Sequence, residues 1–327
     1  MTHVIFGRDA IDWGRYSSVN VLADARVWEL HGDERRALLI PSGEGEKSLR
    51  TAERCWEQLV KWGVDRQGVL VGFGGGVVTD LAGFVGSVYQ RGIAVVLVPT
   101  TVIGMVDAAI GGKTGVNFGG VKNVLGTFWE AEAVVIDLDL LKTLPEREYR
   151  SGLAEVIKLG VIWDGAFFCE LEREVEGLLQ REKSVLERVI RRAQQIKCEV
   201  VERDPQDRLG VRCCLNWGHT FGHALEAVTG FATYTHGEAV AMGMHVAARV
   251  SCDLGMVDQA FVTRQQALLE KVGLKTTFPP VEKENFWKVL QKDKKNGYNQ
   301  IQLILSQGFG KFQLVSSLSK ERILSFV

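Results

Sequence analysis

Two buried-strand patterns with a helical pattern between them constrain this chain more than any other feature. Val69-Leu70-Val71 and Ala94-Val95-Val96-Leu97-Val98 are short uncharged runs rich in β-branched residues, and Val78 to Arg91 repeats its apolar positions at helical spacing. A strand, a crossover helix and a second strand make a βαβ unit, which forces the two strands to be parallel and leaves both sheet faces to be covered. Val19-Asn20-Val21-Leu22, Ala37-Leu38-Leu39-Ile40 and Val134-Val135-Ile136 read as further strands of the same sheet. At Pro145 the texture changes. Apolar residues then recur at three and four, predicting helices over 151–163, 166–181, 183–203, 215–229, 236–254, 258–272 and 284–295. Late apolar runs, Ile301–Leu305 and Phe312–Val315, predict a small hairpin. The expected architecture is an α/β, Rossmann-like nucleotide-binding domain over 1–145. An all-α domain for metal and substrate follows over 146–327.

A chain of 327 residues can bury a core for two such domains. Its net charge of −1 offers no basic field for nucleic acid. The most apolar long segment, Ile93 to Gly112, is broken by Pro99, two threonines and Asp107, which argues against a membrane span. Met1-Thr2-His3-Val4 lacks the basic and apolar regions of a secretory signal. The six cysteines show no CxxC spacing and read as free thiols, so a cytoplasmic location is expected.

Histidine is concentrated in one place. Four of six (His219, His223, His236 and His245) fall within or just after the run Asn216-Trp217-Gly218-His219-Thr220-Phe221-Gly222-His223 … His236-Gly237-Glu238. Any one of them alone would be a helix-end or core-edge histidine satisfied by backbone. Together they point to a metal site, because neutral imidazole is a common zinc ligand and a catalytic zinc needs three protein ligands. His219 and His223, four apart, would share a helix face. Glu155, three residues before Lys158, either belongs to a surface ion pair or supplies an oxygen ligand to that site.

Gly74-Gly75-Gly76 joins a predicted strand to a predicted helix, where glycine lets backbone N–H groups approach a pyrophosphate. The spacing is not GxGxxG, and the next strand ends in Pro99-Thr100-Thr101 rather than an acidic residue. An ordinary ribose clamp is therefore unsupported. Asp107 lies in an apolar run where an unpaired carboxylate would be costly. Gly111-Gly112-Lys113 and Lys122-Asn123 read as a glycine-rich loop carrying cations, and Lys197, Arg212 and Lys294 add fixed positive charge for a phosphate or carboxylate.

Taken in order, these segments resemble 3-dehydroquinate synthase, a sugar-phosphate cyclase. The likeness is carried by Val98-Pro99-Thr100-Thr101, by Asp107 to Asn117, and by Lys122-Asn123. Thr143 to Glu148, Ala154 to Lys158, Leu215 to Glu226 and His236 to Val240 extend it, so that it runs from about Gly43 to Asp293-Lys294-Lys295. The resemblance implies an NAD-dependent lyase with zinc or cobalt. Its reaction converts 3-deoxy-D-arabino-heptulosonate 7-phosphate to 3-dehydroquinate and phosphate, with NAD reduced and reoxidised in each turnover. By the same resemblance, Glu155, His219 and His236 are the metal ligands, and His223 moves to the substrate side. Asp24, Glu44, Lys47, Gly75, Gly76, Asp80, Thr100, Thr101, Thr143 and Glu148 match cofactor positions, with Asp107, Lys113 and Lys122 beside them. Asp107, Lys113, Lys122, Asn123, Lys158, Lys197, Arg212, Asn216, His223 and Lys294 match the substrate pocket. Arg91 matches an arginine that reaches the substrate phosphate, in the family across the interface of a homodimer.

The chain departs from the family pattern in places. The segment before Gly43 is short, Arg26 stands for a usual Asn, and Ala109 for a frequent Ser. The spacing from Lys197 to Arg212 is one residue long, with Asp207 the nearest substitute for an expected Glu. The rival readings are a cyclase for another sugar phosphate, a metal-dependent alcohol dehydrogenase, and an inactive NAD-binding homologue.

Overall fold

The computed structural model describes residues 3–292, 301–316 and 318–327. The chain divides into two compact units, Met1–Pro145 and Glu146–Val327.

In the first unit, β1 (His3–Phe6), β2 (Val19–Asp24), α1 (Ala25–His31), β3 (Ala37–Ile40), α2 (Leu49–Lys61), β4 (Val69–Gly74), α3 (Gly76–Val88) and β5 (Ala94–Pro99) follow one another. A hairpin, β6 (Lys113–Phe118) and β7 (Val121–Phe128), comes before β8 (Ala133–Ile136). Six strands form one sheet in the order β1-β8-β5-β4-β2-β3, all pairs parallel. All five strand runs expected from sequence lie in it. Val21, Val71, Val96 and Ala133 stand in register across four strands and belong to one buried cluster. Every residue of β4 and β8 is buried, as strands covered on both faces must be.

The order matters for ligands. From β2 the chain steps outward to β3, then returns through α2 to β4 on the other side of β2. That reversal is a topological switch point, where the carboxyl ends of neighbouring parallel strands leave a crevice. Three strands were missed. β1 is only four residues long and opens on a histidine. The segment expected as a glycine-rich loop is the antiparallel β6–β7 hairpin, turned by Gly119 and Gly120 at φ 60° and 78°. Its strands approach so closely that a Cβ on Gly126 would lie 2.1 Å from the Thr114 carbonyl oxygen. Glycine there serves strand pairing, although in sequence it reads as loop.

The second unit contains α4 (Glu146–Ile162), α5 (Gly165–Leu179), α6 (Lys183–Arg203), α7 (His219–Val228), α8 (His236–Asp253), α9 (Gln259–Lys271) and α10 (Lys283–Lys292). The expected hairpin follows as β9 (Leu303–Ser306) and β10 (Phe312–Val315), and α11 (Lys320–Leu324) ends the unit. Helix α4 is its centre, buried from Ser151 to Ile162 and packed against α5, α6, α8 and α9. Helix α7 starts later than its apolar period suggests, because Gly218 turns the backbone left-handed (φ 78°) just before His219. A side chain at Gly218 would also meet the Met244 backbone at 2.7 Å, so glycine is what lets α7 lie against α8. Among the described residues no helix is long and apolar enough to cross a membrane.

Candidate active site

The cofactor candidates of the first unit gather where the switch point predicts. Asp24 ends β2, Glu44 and Lys47 follow β3, Gly75 and Gly76 follow β4, and Thr100 and Thr101 follow β5. Gly75 is the N-cap of α3, so the helix has no side-chain cap. A Cβ on Gly75 would come 3.1 Å from Thr101 Cγ2, and one on Gly76 would come 3.4 Å from Ala108 Cβ. This turn is a helix N-terminus without a side-chain cap, and a Cβ at Gly75 would crowd it, which suits backbone N–H groups meeting an anionic diphosphate. One turn into α3, Asp80 forms an ion pair with the buried Lys47. Burial raises the Asp80 carboxyl to about 6, even with Lys47 pulling the other way.

Neighbouring contacts fix the rest of this rim. Asp24 Oδ1 accepts from the N–H groups of Arg26 (3.0 Å) and Val27 (3.2 Å) and from Ser42 Oγ (2.9 Å), so this carboxylate caps α1. Because the cap bond to residue 26 comes from backbone, arginine keeps it where the family has asparagine. Asn117 Nδ2 donates to Glu44 Oε1 (2.8 Å), and Asn117 Oδ1 accepts from the Asn123 N–H (2.9 Å), tying the hairpin to the Glu44 segment. Asp107 sits half-buried on a π-helical turn, Gly104–Ala108, a geometry often found at functional sites. Lys113, Lys122 and Asn123 are exposed on the hairpin, and Arg91 is exposed with a left-handed backbone (φ 67°). Thr143 Oγ1 lies 2.6 Å from His31 Nε2. Ala109 is buried.

The metal candidates converge within the second unit. Helix α4 supplies Glu155, α7 supplies His219 and His223, and α8 supplies His236 as its first residue. The three imidazole centroids stand 5.2, 5.2 and 5.7 Å apart, with one ligand nitrogen from each within 4.8 Å of the others. Glu155 Oε1 lies 3.4 Å from His219 Nε2 and 3.6 Å from His236 Nε2. That oxygen is buried without a hydrogen-bond partner, while Oε2 accepts from Lys158 Nζ. An unsatisfied buried carboxylate oxygen facing two imidazole nitrogens is costly in itself, and a divalent cation between them would remove that cost.

Two of the three imidazoles are also held from behind. His219 Nδ1 lies 3.2 Å from the Trp217 carbonyl oxygen, and His236 Nδ1 lies 3.2 Å from Glu226 Oε2. A proton on each Nδ1 leaves both Nε2 lone pairs aimed at Glu155, the tautomer a metal requires. Burial, with Lys158 and the other imidazoles, pushes His219 well below its usual pKa and keeps it neutral. For His236 burial acts in the same direction, but the Glu226 hydrogen bond and the charges of Glu155 and Glu226 outweigh it and raise the pKa.

Backbone packing sets these positions. Thr235 and Glu238 form a capping box at the start of α8, and Arg147 on α4 donates to both Glu238 carboxylate oxygens (2.8 and 2.6 Å). Ser151 Oγ accepts from the Gly237 N–H (3.0 Å). A Cβ on Gly237 would come 1.9 Å from the Ser151 carbonyl oxygen, so glycine next to His236 lets α8 reach α4.

Lys158, Lys197 and Arg212 are buried cations in this unit, on α4, α6 and the helical turn Val211–Asn216 that ends at Asn216. The loop before Arg212, which carries the extra residue, is organised by Asp204. Its Oδ1 accepts from the Arg208 (2.8 Å) and Leu209 (3.0 Å) N–H groups, and its Oδ2 from that of Val211 (3.1 Å). Sequence reasoning singled out Asp207 there and missed Asp204. It also missed Glu226, although Glu226 is seven residues after His219 and so on the same face of α7. Burial raises the pKa of Glu148, in the first turn of α4. Lys294 lies outside the described residues.

A parallel switch-point sheet with an uncapped glycine turn, and a Glu/His/His cluster with the buried Lys158 paired to its carboxylate, fit a metal- and dinucleotide-dependent enzyme. Family models narrow the class. The 3-dehydroquinate synthase N-terminal model matches residues 37–151, and the C-terminal model matches residues 152–296. The chain is 38% identical to 3-dehydroquinate synthase of Rhodopirellula baltica, over 100% of this chain and 86% of that one. It is 40% identical to that of Pelobacter propionicus, over 98% and 91%. Among solved structures, 2-epi-5-epi-valiolone synthase from Streptomyces hygroscopicus, with NAD+ and Zn2+ bound, superposes at a TM-score of 0.90. It is 27% identical, over 100% of this chain and 95% of that one. Glycerol dehydrogenase from Schizosaccharomyces pombe shares the fold alone (TM-score 0.67, 16% identity, 99% and 87% covered). The chain belongs to the 3-dehydroquinate synthase family, the lyases that close the carbocycle of the shikimate pathway with NAD and a divalent metal.

Proposed function

We propose that the chain converts 3-deoxy-D-arabino-heptulosonate 7-phosphate to 3-dehydroquinate and phosphate with the residues described above. The observation that carries the reading is the buried Glu155 Oε1, without a hydrogen-bond partner and 3.4 and 3.6 Å from the Nε2 atoms of His219 and His236. These three would hold the divalent ion, with zinc or cobalt both suited to an oxygen and two imidazoles. When bound, the ion supplies Lewis acidity towards substrate hydroxyls, and NAD supplies a reversible hydride acceptor.

The chain's own groups do the rest. Lys158 donates to Glu155 Oε2 and thereby fixes which oxygen faces the imidazoles. Lys197 and Arg212 match the charge of a phosphate or carboxylate, and their burial strengthens that attraction. His223, beside His219 and His236, would move protons at the ring hydroxyls, and Asn216 would hydrogen-bond to them. In the first unit, the bare start of α3 would receive the NAD diphosphate, while Lys47, Asp80, Thr100 and Thr101 position the dinucleotide. Identity of 38–40% to 3-dehydroquinate synthases, against 27% to the valiolone synthase, favours the heptulosonate phosphate among cyclase substrates. The same reading includes a cytoplasmic homodimer in which Arg91 serves the substrate phosphate.

The test is to supply the heptulosonate phosphate with zinc and catalytic NAD, measuring phosphate, 3-dehydroquinate and NADH together. Equal amounts of both products without net NADH are expected. Net NADH, or no product from folded zinc-loaded protein, would refute the reading.

A further inference from the structure

Glu226 is buried, and its Oε2 lies 3.2 Å from His236 Nδ1, the ring nitrogen opposite the one proposed to bind metal. The two imidazoles are therefore backed unequally. A neutral carbonyl, from Trp217, stands behind His219, and an ionisable carboxylate stands behind His236. Charge gives this difference weight. Glu155 already has its second oxygen paired with the Lys158 ammonium, so within the cluster its charge is largely offset before any ion arrives. A divalent cation entering that pair adds two positive charges to a buried site. Glu226, one imidazole away, is a second buried carboxylate placed to compensate them.

Geometry adds to this. His236 is the first residue of α8, where the chain has just left the Thr235 cap, and its side chain is less enclosed than that of His219. His219 follows a glycine held against the α8 backbone and is buried. The more open imidazole is the one that needs a partner to fix its ring. Glu226 lies on the α7 face that carries His219, so one rigid helix supplies His219 and orients His236.

We propose that Glu226 is a positioning residue of the metal site, which holds the Nδ1-protonated form of His236 with Nε2 towards Glu155 and supplies compensating negative charge. The inference rests on the ligand assignment proposed above. Outer carboxylates of this kind change metal affinity by roughly 10–100-fold.

The experiment measures the Zn2+ dissociation constant of the full chain by competition with a chromophoric chelator, for wild type, Glu226→Gln, Glu226→Ala and His236→Ala. Each is paired with a melting curve of the metal-free protein. Glu226→Gln keeps the shape and removes the charge, so it decides the question even if Glu226→Ala fails to fold. The expected result is about 10–100-fold weaker zinc binding in Glu226→Gln with its metal-free melting unchanged, and a larger loss in His236→Ala. Activity of Glu226→Gln should return when zinc is raised above the new dissociation constant. Wild-type zinc affinity in Glu226→Gln, with affinity lost in His236→Ala, would overturn the role of Glu226 and leave the ligand assignment standing. Wild-type affinity in His236→Ala would overturn the assignment itself, and this inference with it.

Discussion

The glycine turn after β4 and the histidine cluster of α7 and α8 suit their ligands by opposite means. At the turn, backbone provides the site: Gly75 and Gly76 remove side chains, and the start of α3 is left without a side-chain cap. In the cluster, side chains provide it. Glu155, His219, His223 and His236 come from three helices, and the His219 and His236 rings are each fixed by a partner behind them. A backbone site should tolerate many changes nearby but no added Cβ. A side-chain site should fail at the loss of one group, and should hold its strongest electrostatics within a few ångströms.

The sharpest way to break the comparison is His219→Ala. It should remove bound zinc and lower kcat/KM by more than about 100-fold, beyond what loss of an outer partner costs, while leaving NAD binding near wild type. Metal analysis and isothermal titration with NAD measure both, and full zinc content with normal turnover would exclude His219 as a ligand. Lys158→Ala comes next. Removing one member of a buried ion pair costs about 3–5 kcal/mol, because the other charge is left uncompensated. The metal-free variant should melt well below wild type, and zinc should raise its melting temperature more than it raises that of wild type, since the ion then compensates Glu155. Equal zinc-induced shifts would mean that Lys158 and the metal do not share Glu155.

How much of this was legible in the sequence follows the same division. The strands β2, β3, β4, β5 and β8 were readable because a sheet covered on both faces demands continuous apolar runs. The β6–β7 hairpin was not, because Gly115, Gly119, Gly120 and Gly126 give it the composition of a loop, and only the cross-strand approach reveals why they are there. In the second unit the proposed ligands were visible as residue types, yet spacing alone pointed to His219 with His223. His236 enters because Gly218 and Gly237 let α8 lie against α7 and α4, a tertiary fact with no local signature. Glu226 and Asp204 went unread for the same reason: an outer partner or a loop organiser is defined by what it touches.

Smaller effects sharpen the first region. Gly75→Ala places a Cβ 3.1 Å from Thr101 Cγ2. Overpacking of about 1–2 kcal/mol should weaken NAD about tenfold and leave zinc content unchanged. Unchanged NAD affinity would remove the turn from the cofactor site. The least effect concerns Asp80, whose carboxyl burial raises from 3.8 to about 6. In that window the folded chain keeps a proton that the unfolded chain has released, so this group's contribution to stability falls as pH rises from about 4 through about 6. Melting curves of wild type and Asp80→Asn should therefore diverge across that range, with wild type losing ground as pH increases. A constant difference would contradict the burial argument.

The central claim is that Glu155, His219 and His236 hold the metal, with Trp217 behind one imidazole and Glu226 behind the other. The most direct measurement is an anomalous difference map from crystals of the zinc-loaded protein, collected at the zinc edge. The account predicts one strong peak about 2.0–2.2 Å from a Glu155 oxygen and from both Nε2 atoms. A peak bound by His223 in place of Glu155, or one elsewhere in the molecule, would contradict it.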